Sequence, residues 1–129
     1  MQESAENYLE TILILGQSGK SVRSVDLAHA LDYSRPSVSI AMKNLRMNGY
    51  ILVDSDGYIT LTDSGRKVAE TMYERHVLIS DWLIFLGVDR EVAVNDACKM
   101  EHVMSQQSFA AIKARVEKWK LEIYRQKEG

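Results

Sequence analysis

Apolar side chains at Tyr8, Ile12 and Leu15 fall on one side of a helical wheel, which predicts a first helix from about Ser4 to Gln17 with Ser4 as its N-cap. Gly16 and Gly19 close it. Ser24 heads a second helix, Val25 to about Leu31, whose expected buried positions are Val25, Leu27, Ala28 and Leu31. A short turn, Asp32-Tyr33-Ser34, leads to a third helix that opens near Arg35-Pro36. Ser34 suits the cap, and proline is tolerated in a first turn because its missing N–H has no helical partner there. Val38, Ala41, Met42 and Leu45 follow the i, i+3, i+4, i+7 spacing of a buried face, and Asn48-Gly49 end the helix.

Beyond that helix the period changes. Tyr50-Ile51-Leu52-Val53 and Tyr58-Ile59-Thr60-Leu61 flank Asp54-Ser55-Asp56-Gly57, where the Asp-Gly step favours a tight hairpin turn. Thr62 then caps a long fourth helix, from about Asp63 to Leu86, with Val68, Met72, Ile79, Leu83 and Leu86 on one side, His76 inserted in the row, and Gly87 as its stop. A fifth helix spans about Arg90 to Met104. Ser105 caps a sixth, in which Phe109, Ile112, Val116, Trp119 and Ile123 recur at spacings of three and four. Such a seam needs a partner, inside the chain or in a second copy. Three helices followed by a hairpin is the order of a winged helix-turn-helix. The expected fold is mainly α, with a winged helix-turn-helix in residues 1–70 and a helical domain in residues 71–129.

Composition narrows this little. The 129 residues are 46% apolar and 26% charged, as in an ordinary globular protein, and Pro36 is the single proline. The uncharged apolar run Ile12 to Leu15, like every other in the chain, is far too short to span a bilayer. The acidic start, Met1 to Glu6, lacks the basic-then-apolar layout of a signal peptide, and the lone Cys98 forms no disulfide within the chain. A cytoplasmic protein without membrane contact is expected. The net charge of −2 does not announce nucleic-acid binding, but DNA affinity depends on where the cations sit rather than on their sum.

Opposite the buried side of the third helix lie Pro36, Ser37, Ile40, Lys43 and Asn44, with Ser34, Arg35 and Ser39 around its start. A recognition helix entering the major groove needs this mixture. Hydroxyls and N-terminal N–H groups meet phosphate, lysine and asparagine reach base edges, and an apolar side chain meets thymine methyl groups. Ile40 has no purpose on a solvent face unless something covers it. A bland reading, a solvated helix or one that packs on another protein, stays open. The hairpin tip, Ser55 to Tyr58, carries no basic side chain, so only modest wing contacts are expected. His29 reads as a surface histidine.

Cys98, Glu101 and His102 stand at i, i+3 and i+4, which sets thiolate, carboxylate and imidazole on one helical face. All three can ligate a first-row divalent metal. His76 interrupts an apolar row, where a buried imidazole needs a partner. Asn7 and Glu10 add a pair at i, i+3 on the first helix. A lone cysteine on an apolar helix is more often core, so the spacing by itself leaves the trio open.

The segment Asp96-Ala97-Cys98-Lys99-Met100-Glu101-His102-Val103-Met104-Ser105 resembles the metal-binding stretch of the diphtheria toxin repressor and manganese transport regulator family. Glu6 to Ile12 resembles that family's first helix, and Arg75-His76, Ser34 to Val38 and Leu61 to Gly65 match in order. The resemblance implies a homodimeric repressor that binds double-stranded operator DNA when manganous or ferrous ion, Mn(II) or Fe(II), is plentiful, with control of metal uptake as the usual role. It implies a DNA-binding domain over residues 1–70, a dimerisation and metal-sensing domain over residues 71–129, and the short architecture without a further C-terminal domain. By this likeness Glu101, His102 and His76 match ligands of both branches, Cys98 follows the iron-responsive branch, and Glu10 follows the manganese branch. Asn7 departs from both, where its amide oxygen would be a weaker ligand. The iron branch's accompanying carboxylate and imidazole fall on Ser80 and Val94, which argues against a full second site of that kind.

The implied mechanism is a cation that ties the first helix to the fourth and fifth and poses two recognition helices about 34 Å apart. Zinc, cobalt or nickel should bind more tightly in vitro, so occupancy in cells would follow supply. Because Cys98 would ligate as thiolate, binding should weaken as pH falls. Two other classes remain at this stage. One is a metal-independent winged-helix regulator or protein-interaction module whose Cys98 and His76 fill the core. The other is a metalloenzyme using Glu101 as base, for which the chain offers no acid/base pair, nucleophile or glycine-rich phosphate loop. An enzyme is not expected.

Overall fold

The computed structural model describes residues 3–128; Met1, Gln2 and Gly129, at the ends of the two expected domains, lie outside them. The element order is α1 (Glu3–Gly16), α2 (Ser24–Leu31), α3 (Arg35–Met47), β1 (Ile51–Val53), β2 (Ile59–Leu61), α4 (Asp63–Phe85), α5 (Arg90–Val103) and α6 (Gln106–Glu128). The mainly α architecture and the helix–helix–helix–hairpin order are as expected. The chain divides into two compact units, Met1–Tyr73 and Glu74–Gly129, and the boundary falls within α4.

The first unit is built around one apolar core. Leu9, Leu27, Val38 and Ile51 are almost wholly buried in it, and α1, α2, α3, the hairpin and the start of α4 all contribute. Ser4 lies inside α1 rather than capping it. Arg23, not Ser24, precedes the first turn of α2, and its N–H donates to the Asp26 carboxylate at 2.8 Å. Val25, expected inside, is 45% exposed. Leu27 and Ala28 set the inward direction of α2, and at about 100° per residue Val25 points well away from it. The cap of α3 is as expected: the Ser34 hydroxyl accepts from the Ser37 N–H at 3.3 Å, with Pro36 in the first turn.

β1 and β2 pair antiparallel, with Ile51 opposite Leu61, Leu52 opposite Thr60 and Val53 opposite Ile59. Val22 adds a single bridge to Ile59, whose N–H donates to the Val22 carbonyl at 2.7 Å. The loop is longer than a two-residue turn. The Gly57 N–H donates to the Asp54 carbonyl, closing a turn, and Gly57 follows at φ +85°, the usual way a three-residue hairpin loop reverses. One Asp54 carboxylate oxygen accepts from the N–H groups of both Asp56 and Tyr58 at 2.9 Å. Asp54→Ala removes both bonds and is expected to lower stability by about 1 kcal/mol, since the site is exposed and each such bond contributes modestly. Urea denaturation monitored by circular dichroism checks this; an unchanged midpoint would show that the loop holds itself.

In the second unit Leu78 of α4 packs with Phe109 and Val116 of α6, flanked by Trp82, Ile112 and Trp119. The α6 seam therefore finds its partner in α4 of the same chain. Leu86, expected on the buried side of α4, is 59% exposed because the helix ends at Phe85 and the chain turns away through Gly87 at φ +102°. Ser105 caps α6 as expected, its hydroxyl accepting from the Ser108 N–H at 3.1 Å. No helix among the described residues is long and apolar enough to cross a membrane.

Candidate metal centre and nucleic-acid interface

α4 and α5 of the second unit bring four of the predicted ligands together. Glu101 is the pivot: the residue is 1% exposed, and its two carboxylate oxygens face different imidazoles. His76 Nδ1 lies 3.1 Å from Oε2, and His102 Nε2 lies 3.3 Å from Oε1. Cys98 Sγ lies 3.7 Å from the same Nδ1 of His76. These contacts follow from local sequence: three residues on α5 at i, i+3 and i+4 share a face, and His76 on α4 meets that face.

A carboxylate taken out of water needs compensation. Here it is bracketed by imidazoles, and one nitrogen, His76 Nδ1, faces both a carboxylate oxygen and a sulfur. Groups with lone pairs gathered in pairs around one buried carboxylate could hold a cation as well as hydrogen-bond to one another. The donors, two nitrogens, a carboxylate and a thiol, suit a borderline divalent transition metal. Cys98 is exposed, Glu101 and the His102 side chain are buried, and His76 lies between. Ser80, where the iron branch carries a carboxylate, is buried and its hydroxyl has no hydrogen-bond partner among the described residues, while Val94 offers no ligand atom.

The two first-helix candidates belong to the other unit. Glu10 is buried at 4% exposure and Asn7, half-buried, uses its backbone carbonyl to accept from the Thr11 hydroxyl at 2.8 Å. Burial of an acidic side chain on α1 is a signal the sequence pattern alone did not carry, because Glu10 sits between the apolar Leu9 and Ile12.

On α3 of the first unit, Ser34, Arg35, Pro36, Ser37, Ser39, Ile40, Lys43 and Asn44 are all exposed, and Val38, Met42 and Leu45 are buried. Ile40 is 64% exposed. The wing is less bare than expected. The Arg23 guanidinium lies over the Tyr58 ring, 4.3 Å from its centroid, so a cation comes to the loop end of the hairpin from the start of α2. That contact was missed because it joins residues far apart in sequence. His29 is exposed, as expected.

Residues 1–59 match the model of the iron dependent repressor N-terminal DNA binding domain, and residues 62–127 match that family's metal binding and dimerisation domain. The chain belongs to the iron-dependent repressor family. An uncharacterized HTH-type transcriptional regulator of Methanocaldococcus jannaschii is 33% identical over 122 residues, covering 93% of this chain and 98% of that protein. The transcriptional regulator MntR of Salmonella typhimurium is 35% identical over 113 residues, covering 88% of this chain and 72% of its own. A solved manganese-dependent transcriptional repressor, in complex with manganese, superimposes with a TM-score of 0.81 at 30% identity over 88% of this chain. The chain spans 52% of that solved protein's length. The iron-dependent repressors are transcriptional regulators, not enzymes, and the winged N-terminal half and helical C-terminal half seen here are the family's fold.

Proposed function

We propose that this chain is a cytoplasmic, homodimeric repressor that binds operator DNA when loaded with Mn(II) or Fe(II), and that it controls metal-uptake genes. The observation that carries the reading is the buried Glu101 carboxylate set between His76 and His102, with Cys98 beside His76, in a chain of the iron-dependent repressor family. His76, Cys98, Glu101 and His102 would hold the ion, and Glu10 would add a ligand from α1. Asn7 is the weakest member of the set, offering a neutral amide oxygen. The ion supplies charge compensation and a fixed geometry. The chain's own residues do the rest: Ser34, Arg35, Ser37 and Ser39 meet backbone phosphates, Lys43 and Asn44 reach base edges, and Pro36 and Ile40 make apolar contact in the major groove. A ligand set drawn from both halves biases the pose of the DNA-reading head, and the strength of that bias is bounded by the ion's preference for one pose.

The test is operator binding measured under anaerobic conditions across free Mn(II) and Fe(II), in parallel with a Lys43→Ala chain. Binding should rise at least about tenfold on metal loading, with the two curves ranking the ions. Lys43→Ala should weaken DNA binding by about 1–3 kcal/mol while leaving metal affinity as it was. A flat response to both ions would replace this reading with a metal-independent winged-helix regulator. A Lys43→Ala gel shift like the parent's would mean that another face of α3 enters the groove.

A further inference from the structure

Arg75 is the residue in the second unit whose chemistry the proposed function leaves unused. It precedes His76 on α4 and is 7% exposed. Burying a guanidinium is costly unless its donors are met; Nε finds no partner among the described residues, and the two terminal nitrogens reach across to the end of α5 and the start of α6. Nη1 donates to the backbone carbonyls of Glu101 at 3.0 Å and Met104 at 2.6 Å, and Nη2 donates to the Gln106 side-chain oxygen at 3.1 Å. The guanidinium also lies over the Phe109 ring, 5.1 Å from its centroid. The last carbonyls of a helix have no helical partner and carry the negative end of its dipole, so a fixed cation there caps α5 and ties down the turn into α6.

The consequence lies in which residues are gripped. Consecutive residues of α4 hold the same residue of α5 from two sides: Arg75 takes the Glu101 carbonyl, and His76 faces the Glu101 carboxylate. His102 is the next residue along. The spacing between the α4 ligand and the two α5 ligands is therefore held by directional bonds from Nη1 to two carbonyls at the end of α5, beside the apolar packing of Ala93 and Ala97, which alone tolerates sliding. We infer that Arg75 is a positioning residue for the metal centre: its guanidinium clamps the end of α5 against α4 so that His76, Glu101 and His102 are preset for one ion. The inference rests on the metal-centre reading above and adds to it a residue that touches no ion. Lysine cannot replace the fork, because a single ammonium cannot serve three acceptors in those directions at once.

The experiment compares the parent chain with Arg75→Lys, Arg75→Met and, as a control, Val116→Ala in the same unit's core. Each is titrated with Co(II) under anaerobic conditions for affinity and visible absorption spectrum, and with Mn(II) by calorimetry. Thermal melts of the metal-free chains report stability. Arg75→Met should bind either ion about 10–100-fold more weakly, the scale on which groups behind metal ligands act, with Arg75→Lys between it and the parent. The Co(II) spectra of both should shift in position and intensity, since the ligand geometry has changed. Val116→Ala should lower the melting temperature and leave affinity and spectrum as they were. If Arg75→Met does not fold, Arg75→Lys decides. Parent-like affinity and spectrum in the folded Arg75 variants would overturn the inference and leave the metal-centre reading standing. Equal loss of affinity in Val116→Ala would reduce Arg75 to general stabilisation. A parent chain that takes up neither ion would end both.

Discussion

Glu101→Gln should bind Mn(II) or Fe(II) at least about 100-fold more weakly, the upper end of what even a supporting residue costs, and should lose the metal response of operator binding. The substitution keeps the side chain's shape and removes its charge. In the parent both carboxylate oxygens face imidazole nitrogens, at 3.1 and 3.3 Å. An amide would turn a donor toward one of them, taking away an anionic ligand and placing N–H groups where an ion needs lone pairs. The metal-free chain should melt close to the parent, because the cost of holding a carboxylate out of water disappears together with its partners' attraction. The difference should appear on loading. A ligand at a hundred times its dissociation constant stabilises the folded state by about 2.7 kcal/mol, and this increment should fall to about 0.4 kcal/mol or less in the variant at the same free metal. A Glu101→Gln chain that still gains thermal stability from manganese at parent concentrations would remove Glu101 from the site.

The second large effect concerns the first unit and owes nothing to metal. A Cβ added at Gly65 would stand 2.0 Å from the Tyr50 carbonyl oxygen and 3.0 Å from its carbon. Neither partner is free to give way. The same carbonyl accepts from the Thr62 N–H at 3.1 Å, the Thr62 hydroxyl donates to the Gly49 carbonyl at 2.7 Å, and the Gly65 N–H donates to that hydroxyl at 3.2 Å. This knot joins the end of α3, the start of the hairpin and the first turn of α4. Gly65→Ala should therefore destabilise by about 3 kcal/mol or more, the upper range for overpacking, although alanine favours a helix interior by about 1 kcal/mol over glycine. Urea denaturation of the two chains measures it; a variant as stable as the parent would mean that the approach of α4 to Tyr50 is not close in solution.

What the sequence could say about this molecule follows the reach of each interaction. The Ser34 and Ser105 caps, the Asp54–Gly57 reversal and the Cys98-Glu101-His102 face depend on neighbours within a turn, and pattern sufficed for them. Val25 and Leu86 went the other way for related reasons. A short helix with two firmly buried residues fixes its phase, and a chain that turns after Phe85 no longer obeys the helical repeat. Arg75 and Gly65 stood in stretches that resemble the family, but the pattern assigned neither a role. Arg75 meets acceptors 26 to 31 residues away, which no local pattern reports. The need for glycine at position 65 shows only once Tyr50 is placed against it. The pairing of α6 with α4 was open on sequence because a seam names no partner; Leu78 and Trp82 supply it.

The exposed isoleucine among few cations on α3 bears on how such a protein would search a chromosome. Every phosphate neutralised releases counterions and steepens the dependence of binding on ionic strength by nearly one power per contact. The α3 face proposed to enter the groove sets Arg35 and Lys43 beside Ile40, and so few cations there would supply little of that indiscriminate attraction. Random duplex would retain it weakly and release it quickly. Most of its hold on a true site would then come from thymine methyl groups and base edges that fit, and a modest change in salt would disturb that hold less than it disturbs a strongly basic competitor.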